Sequence, residues 1–95
     1  IGDGYDSRSN RESGEGRYDI LLAPYDTRRK GVVIEIKTLP KNVAEADVEK
    51  ALAGALEQIN KNAYFNELES RRVAGKFAVA IVFAGKMPYV RSQDY

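Results

Sequence analysis

Apolar residues are concentrated in short runs along the chain, and four of these runs predict β-strands. The densest is 31–37, where β-branched side chains lead into an acid and a base. The run 17–23 ends at Pro24, and the almost wholly apolar run 76–83 is typical of a central strand buried on both faces. The shorter run 87–91 predicts an edge strand.

Between the second and third predicted strands, apolar residues recur at steps of three and four, which indicates a helix. Residues 44–72 are rich in Ala, Glu, Lys and Leu and predict one long amphipathic helix, broken near 64–66. Its apolar stripe consists of Val48, Leu52, Ala55, Leu56, Ile59 and Ala63. Gln58 lies at the edge of this stripe, where a polar side chain can point toward the sheet. Residues 1–16 have no apolar period and predict a loop or a short helical turn.

The first two predicted strands are joined by a short polar turn and therefore predict an antiparallel hairpin. With the turn centred near Thr27, Asp19 lies directly across from Glu35. Because side chains alternate between the faces of a strand, Glu35 and Lys37 share one face of a strand that is otherwise apolar. Opposed carboxylates destabilise a hairpin, and a buried charged pair is costly, unless a cation compensates them.

The composition limits the chemistry that these residues can perform. With 95 residues, 43% of them hydrophobic and 31% charged, the chain predicts one globular α/β domain, 1–95, with its core in 17–95. It contains no Cys and no His, which excludes thiol nucleophiles, His general bases and ordinary zinc sites. The net charge of +1 predicts no general attraction to nucleic acid, so any basic surface is local.

Three features bear on the setting of the chain. No apolar run approaches the roughly 20 residues of a membrane span, so we expect no membrane association. The lack of Cys fits a reducing compartment and predicts a cytoplasmic location. The first residue is Ile1 rather than Met, which fits a fragment of a longer chain.

The carboxylates of Asp19 and Glu35, with the backbone carbonyl of Ile36, predict an all-oxygen site of the kind that Mg²⁺ prefers. Such an ion lowers the pKa of a bound water and stabilises charge on a phosphate oxygen. Lys37 emerges on the same face, where its ammonium can orient the attacking hydroxide. These groups suit phosphodiester hydrolysis without His. The alternative is a solvated Glu35–Lys37 ion pair on the outer face of an edge strand, with Asp19 as a surface acid.

Five short segments carry a resemblance to a known family. They are Ser-Asn-Arg-Glu-Ser-Gly at 9–14, Gly-Arg-Tyr-Asp-Ile at 16–20, Glu35-x-Lys37, Ala-Leu-x-Gln-Ile at 55–59, and Tyr64. Over residues 9–90 the sequence resembles the PD-(D/E)XK nuclease superfamily, especially the small nuclease-like domain at the C-terminus of proteins with an AAA-ATPase-like N-terminal region. Tyr18 departs from the pattern, because in the family the name-giving proline precedes the aspartate.

The resemblance implies a fold and a set of roles. The fold is a restriction-endonuclease-like mixed four-stranded sheet with one long helix (β-β-α-β-β), its usual N-terminal helix reduced or missing, in a longer ATPase-linked chain. The implied catalytic residues are Asp19, Glu35, Lys37 and Gln58. The two acids bind Mg²⁺ or Mn²⁺, and the glutamine supports the site. Glu12 matches an upstream acid that helps to hold metal in some members, or else it is a loop acid or cap. Tyr64 matches a tyrosine that follows the helix glutamine, at a slightly different spacing.

We therefore expect a Mg²⁺- or Mn²⁺-dependent endonuclease that hydrolyses DNA phosphodiesters. The residues expected to contact DNA are Arg17, Arg28, Arg29, Lys30 and Tyr64. For the basic turn at 28–30, a plain solvated turn is the alternative. Two other functions stay open: a catalytically silent nuclease-fold module that binds nucleic acid or protein, and a dimerisation domain whose homodimer covers the sheet face left by the reduced helix.

Overall fold

The computed structural model describes residues 4–13, 16–61 and 66–95; at 9–13, 16–18, 61, 66 and 67 it describes the backbone alone. These residues form five strands and two helices. In chain order they are β1 (Tyr5–Ser13), β2 (Gly16–Pro24), β3 (Lys30–Leu39), α1 (Glu45–Lys61), α2 (Asn66–Ser70), β4 (Gly75–Ala84) and β5 (Met87–Asp94).

The strands form one mixed sheet in the order β1-β2-β3-β4-β5. The first three are antiparallel neighbours, β3 and β4 are parallel, and β5 returns antiparallel to β4. A parallel pair requires a crossover connection, which α1 and α2 supply. The structure is therefore α/β with a mixed sheet, in the predicted β-β-α-β-β order extended by one strand at the beginning.

Both described helices pack on one face of the sheet. Glu45 and Asp47 lie in the first turn of α1, where acids complement the helix dipole. The buried residues of α1 are Val48, Leu52, Ala55, Leu56 and Ile59. Leu68 of α2 is completely buried, and a β-carbon added to Gly31 of β3 would lie 2.5 Å from its Cδ2 atom. The missing side chain at Gly31 therefore allows α2 to approach the sheet closely.

The two faces of the sheet are covered unequally. The face under the helices is buried through Leu21, Ala23, Val33, Ala78, Ala80 and Val82. The alternate residues of β3 and β4 belong to the opposite face, and the apolar ones are all partly exposed: Val32, Ile34, Ile36, Phe77, Val79, Ile81 and Phe83. The prediction that the run 76–83 is buried on both faces is therefore wrong for one face, because α1 and α2 both lie on the other.

The strand β1 corrects the prediction that 1–16 form a loop or a short helical turn. It pairs with β2 along its length and forms the edge of a sheet of five strands rather than four. An edge strand held by backbone hydrogen bonds needs no alternating apolar side chains, so its polar sequence carries no strand pattern. Asp6 anchors this strand, because it accepts hydrogen bonds from Arg71, just after α2, at 2.8 Å and from Arg8 at 3.3 Å.

The helix predicted over 44–72 is present as two helices. α1 ends at Lys61 and α2 begins at Asn66, and Ala63 and Tyr64 lie between them, outside the described residues. After α2 the chain turns at Arg72, whose φ of 57° is left-handed, and then enters β4. Neither helix has the length and apolar character that crossing a membrane requires, as far as the described ranges extend.

Two connections meet where β3 and β4 end. The N–H of Gly85, in the β4–β5 turn, donates to the carbonyl of Leu39 at 2.9 Å. Gly85 has a φ of 62°, and a β-carbon there would lie 2.6 Å from Cβ of Lys41. Asn42 has a φ of 70°, a left-handed conformation that Asn adopts more readily than most residues. The β3–α1 connection and the β4–β5 turn are therefore held against each other at close range.

Candidate active site

The hairpin of β2 and β3 places two acids on one face of the sheet. Its backbone pairing centres the turn at Thr27, as predicted, and ends at the pair Ile20↔Ile34. The same register, continued by one residue, places Asp19 across from Glu35. Opposite residues of an antiparallel pair share a face, so both carboxylates belong to the face that α1 covers.

Asp19 also joins the two strands directly. Its Oδ2 atom accepts a hydrogen bond from the backbone N–H of Ile36 at 2.6 Å. The backbone pairing of β2 with β3 stops one residue before Asp19, so a side chain makes the contact at this point of the hairpin. The bond fixes the carboxylate beside the Glu35–Lys37 segment, and Oδ1 accepts no hydrogen bond from the described residues.

Glu35 is the buried acid of the site, with 8% of its surface exposed. Lys37 follows it on the same face of β3, and its Nζ atom lies 3.7 Å from Oε2 of Glu35. The side chain of Lys37 is 38% exposed against 10% for Glu35, so the ammonium lies at the mouth of the site and the carboxylate lies inside. The alternative of a solvated ion pair on an edge strand is therefore wrong, because β3 is an inner strand and Glu35 is buried.

Gln58 connects α1 to this pair of charges. It lies between the buried residues Ala55 and Ile59, and its Oε1 atom accepts a hydrogen bond from Nζ of Lys37 at 2.8 Å. The prediction that Gln58 points toward the sheet is confirmed. Burying charge costs free energy that hydrogen bonds to the ion partly offset. Because α1 is fixed by its packing, Gln58 holds the ammonium of Lys37 in one place.

The described side chains do not include three other residues predicted for the site. Glu12 and Arg17 are backbone partners in the β1–β2 ladder, but their side chains lie outside the description, as does all of Tyr64. In the described ranges no group of three or more His, Cys, Asp and Glu side chains is close enough to hold a metal. Of the predicted acids, Asp19 and Glu35 lie on adjacent strands and on the same face of the sheet.

The basic turn between β2 and β3 lies at the other end of the hairpin from the acids. From Lys30 to Glu35 the strand rises about 17 Å, so the turn lies outside the site formed with Asp19. Lys30 donates a hydrogen bond to Asp94 of β5 at 2.6 Å, and its Nζ atom lies 5.9 Å from the centre of the Phe77 ring. Its charge is therefore engaged within the protein.

The two arginines of this turn differ in their contacts. Arg28 donates to the two carboxylate oxygens of Asp26 at 3.0 and 2.9 Å, and this hydrogen bonding lowers the pKa of Asp26 and raises the pKa of Arg28. The Arg29 side chain is exposed and has no ion pair or hydrogen bond within the described part of the chain. Arg29 is therefore the residue of the turn whose charge is available to an anionic partner.

Two contacts around the site have no signal in the sequence. One is the bond from the Ile36 backbone to Asp19. The other is an ion pair between Arg91 of β5 and Glu49 of α1, whose partners are 42 residues apart. Arg91 lies on the same rung of the sheet as Glu35, with Ala80 between them, so this ion pair joins α1 to the sheet beside the site.

These features define a class of fold, a mixed α/β sheet in which an acid on one strand of a hairpin faces a Glu-x-Lys segment on the next. The family model described as the PD-(D/E)XK nuclease superfamily matches residues 1–92. The chain belongs to the PD-(D/E)XK nuclease superfamily. No curated protein and no solved structure matches it significantly. The expected link to an AAA-ATPase-like region stays a prediction.

Proposed function

We propose that the protein is a metal-dependent nuclease that hydrolyses DNA phosphodiester bonds at the site formed by Asp19, Glu35, Lys37 and Gln58. The observation that carries the proposal is the position of the Lys37 ammonium. Its Nζ atom lies 3.7 Å from Oε2 of the buried Glu35 and 2.8 Å from the side-chain amide oxygen of Gln58 on α1, and it remains partly open to solvent. A charge held in this way is suited to act on a bound phosphate.

The donor atoms of the site fit a hard divalent cation. Asp19 and Glu35 offer carboxylate oxygens, and Mg²⁺ is commonly bound by one or two carboxylates with water in its remaining positions. Asp19 uses Oδ2 for the Ile36 N–H, so Oδ1 is the atom it would offer to an ion. When bound, Mg²⁺ or Mn²⁺ would supply positive charge for a phosphate oxygen and would make a bound water more acidic. Glu12 is a further candidate ligand on sequence grounds alone.

The protein's own groups orient the reactants. Lys37 has three N–H donors, of which one binds Gln58, so others can donate to a water or to a non-bridging phosphate oxygen at the open side. Because Gln58 fixes the ammonium beforehand, little reorganisation is needed when charge develops on the phosphate. The low exposure of Glu35 strengthens these electrostatic interactions, since less water screens them.

Among the described side chains of the β2–β3 turn, few cations are free to contact DNA. Arg29 supports a contact with a DNA phosphate that lies about 20 Å along the hairpin from the two acids. Arg28 and Lys30 are already paired with acids, so they are weaker candidates than the sequence suggested. Arg17 and Tyr64 stay candidates from the sequence.

Nicking of a supercoiled plasmid in the presence of Mg²⁺ or Mn²⁺ tests this function. We expect Lys37→Ala to lower the rate by about 100-fold or more, because removing one donor to a developing charge commonly has this effect. Lys50→Ala, which removes an exposed lysine of α1, serves as the matched control and should nick like the unmodified protein. Equal nicking with and without the Lys37 ammonium, or no nicking by the unmodified protein with either metal, would contradict the proposal.

A second candidate function, assembly, is favoured by the partly exposed sheet face. Ile34 and Ile36 of β3 lie there with Val79 and Ile81 of β4, although parallel strands are normally covered on both faces. A homodimer formed through this face would leave the acids on the opposite face open. Sedimentation of the protein and of Ile34→Lys tests it: a dimer that the lysine dissociates supports assembly, and a monomer in both samples rejects it.

A further inference from the structure

A cavity of about 410 Å³ opens where the β3–α1 connection meets the β4–β5 turn. This volume lies in the range of small-molecule sites in proteins. The cavity is located beyond the carboxyl ends of the parallel strands β3 and β4, which is where open α/β sheets commonly bind ligands. Neither the acids of the candidate active site nor Lys37 lines it.

The lining of the cavity combines an aromatic ring with unpaired polar groups. Met87 and Tyr89 of β5 are 59% and 40% exposed, unusually open for large apolar side chains. On the facing wall, Lys41, Asn42 and Glu45 are exposed, and none of their side chains has a hydrogen bond or ion pair among the residues that the structure describes. An aromatic face with hydrogen-bonding groups around it matches the chemistry of a nucleobase.

The walls of the cavity are formed before any ligand binds. The hydrogen bond from Gly85 to Leu39 and the close approach of Gly85 to Lys41 hold the two connections together. The left-handed backbone of Asn42 sets the direction of the facing wall. A preformed site loses little conformational entropy on binding, so stacking on Tyr89 is not offset by the cost of ordering a loop.

We propose that this cavity is a subsite for one base of the nucleic-acid strand on which the protein acts. The inference rests on the proposed function. The ring of Tyr89 stacks on the base, Asn42 and Glu45 offer donor and acceptor atoms to the base edge, and Lys41 contacts a phosphate. Because a carboxylate accepts hydrogen bonds from amino groups, Glu45 favours bases that carry one.

The sheet register places this subsite within reach of the candidate active site. Lys37 pairs with Val82, and Val82 pairs with Tyr89, so the three residues lie on one rung. Two strand spacings separate Lys37 from Tyr89, which is about 10 Å. Val82 is completely buried beneath α1, so a nucleic-acid strand cannot cross directly above it. The nucleic-acid strand passes instead over the end of the sheet, where the exposed Lys41 lies.

Binding of a fluorescein-labelled single-stranded oligonucleotide, followed by fluorescence anisotropy in EDTA, tests the subsite without cleavage. We expect Tyr89→Leu to weaken binding about tenfold, the usual effect of losing one stacked base. The matched control is Tyr25→Leu, because Tyr25 is 70% exposed but lies in the β2–β3 turn, and it should bind like the unmodified protein. Lys41→Gln should reduce the slope of log Kd against log salt by about 0.7.

A second variant guards against loss of folding. Asn42→Gly keeps the left-handed backbone, which Gly adopts freely, and removes only the amide, so it should weaken binding several-fold without lowering thermal stability. Equal affinities for the unmodified protein, Tyr89→Leu and Asn42→Gly would overturn the subsite, as would equal losses in Tyr89→Leu and Tyr25→Leu, or no binding at all. Binding in EDTA involves no cleavage, so weaker binding by Tyr89→Leu than by Tyr25→Leu supports the subsite whether or not the unmodified protein nicks DNA, which separates failure of the subsite from failure of the nuclease.

Discussion

Substitutions of Asp19 by Asn and by Ala separate the two roles that its carboxylate has in the structure. The carboxylate accepts the Ile36 N–H at 2.6 Å. Asp19 also lies across from Glu35 when the β2–β3 register is continued by one residue. The Asn amide keeps an oxygen of similar position and can still accept this N–H, but it carries no charge. Ala removes both the acceptor and the charge. The two variants therefore differ by the strand-to-strand bond and share the loss of the negative charge.

The expected magnitudes follow from these contacts. A hydrogen bond to a charged group contributes about 1.5–3 kcal/mol to stability, and a neutral one contributes about 0.5–1.5 kcal/mol. Removing one of two opposed carboxylates returns up to about 1 kcal/mol, because like charges across a hairpin repel. Without metal, Asp19→Asn should therefore lower the free energy of unfolding by less than about 1 kcal/mol. Asp19→Ala, which leaves the Ile36 N–H unpaired, should lower it by about 2 kcal/mol.

Urea unfolding, with and without Mg²⁺, measures both roles. A cation that binds only the folded protein stabilises it by RT ln(1 + [L]/Kd), which is about 2.7 kcal/mol at a concentration of 100 Kd. The unmodified protein should gain stability with Mg²⁺, and both Asp19 variants should gain little. Glu57→Gln, which neutralises an exposed acid of α1, is the control and should behave like the unmodified protein in both conditions.

Two outcomes would refute this reasoning. Equal stabilities of Asp19→Ala and Asp19→Asn without metal would show that the bond to the Ile36 N–H does not support the hairpin. Stabilisation of Asp19→Asn by Mg²⁺ as large as that of the unmodified protein would show that the Asp19 charge is not used for metal binding.

Two other substitutions test the packing and the anchoring of the sheet. Gly31→Ala should lower the free energy of unfolding by about 1–3 kcal/mol, because its β-carbon would lie 2.5 Å from Leu68. Gly54→Ala, with open space around its position on α1, should raise the free energy of unfolding by about 1 kcal/mol. Equal urea midpoints for the two variants would contradict this. The hydrogen bond from Arg71 holds the pKa of Asp6 below its ordinary value of 3.8, so the stability from this pairing is present above that value and is lost as the pH falls through the lowered pKa. Stability measured from about pH 5 to about pH 2 should therefore fall less steeply in Arg71→Gln, and an unchanged slope would contradict the anchoring role of Asp6.

The site could be predicted from sequence where local rules determine geometry. The turn centred at Thr27 follows from two apolar strands joined by a short polar segment. The same register, continued by one residue, gives the position of Asp19 across from Glu35. The direction of Gln58 follows from its place at the edge of an apolar stripe on α1. Both inferences need only the periodicities of strands and helices.

Other features depend on contacts that are distant in sequence. The charge of Lys30 is taken up by Asp94, 64 residues away, which no inspection of the turn could show. β1 has no strand pattern because its backbone, not its side chains, holds it to β2. Whether both faces of β4 are covered depends on where the helices pack, and apolar side chains on both faces do not determine this.

The register of the β2–β3 pairing limits which insertions this hairpin can accept without separating the two acids. Side chains alternate along a strand, so inserting one residue between Tyr25 and Arg29 and pairing the strands again would turn Asp19 away from Glu35 and toward the opposite surface. The strands would still be hydrogen-bonded, yet the acids would be separated by the thickness of the sheet. An insertion that only lengthens the exposed turn, about 20 Å from the acids, would leave them on one face, so it is the register of the strands that determines whether Asp19 and Glu35 share a face.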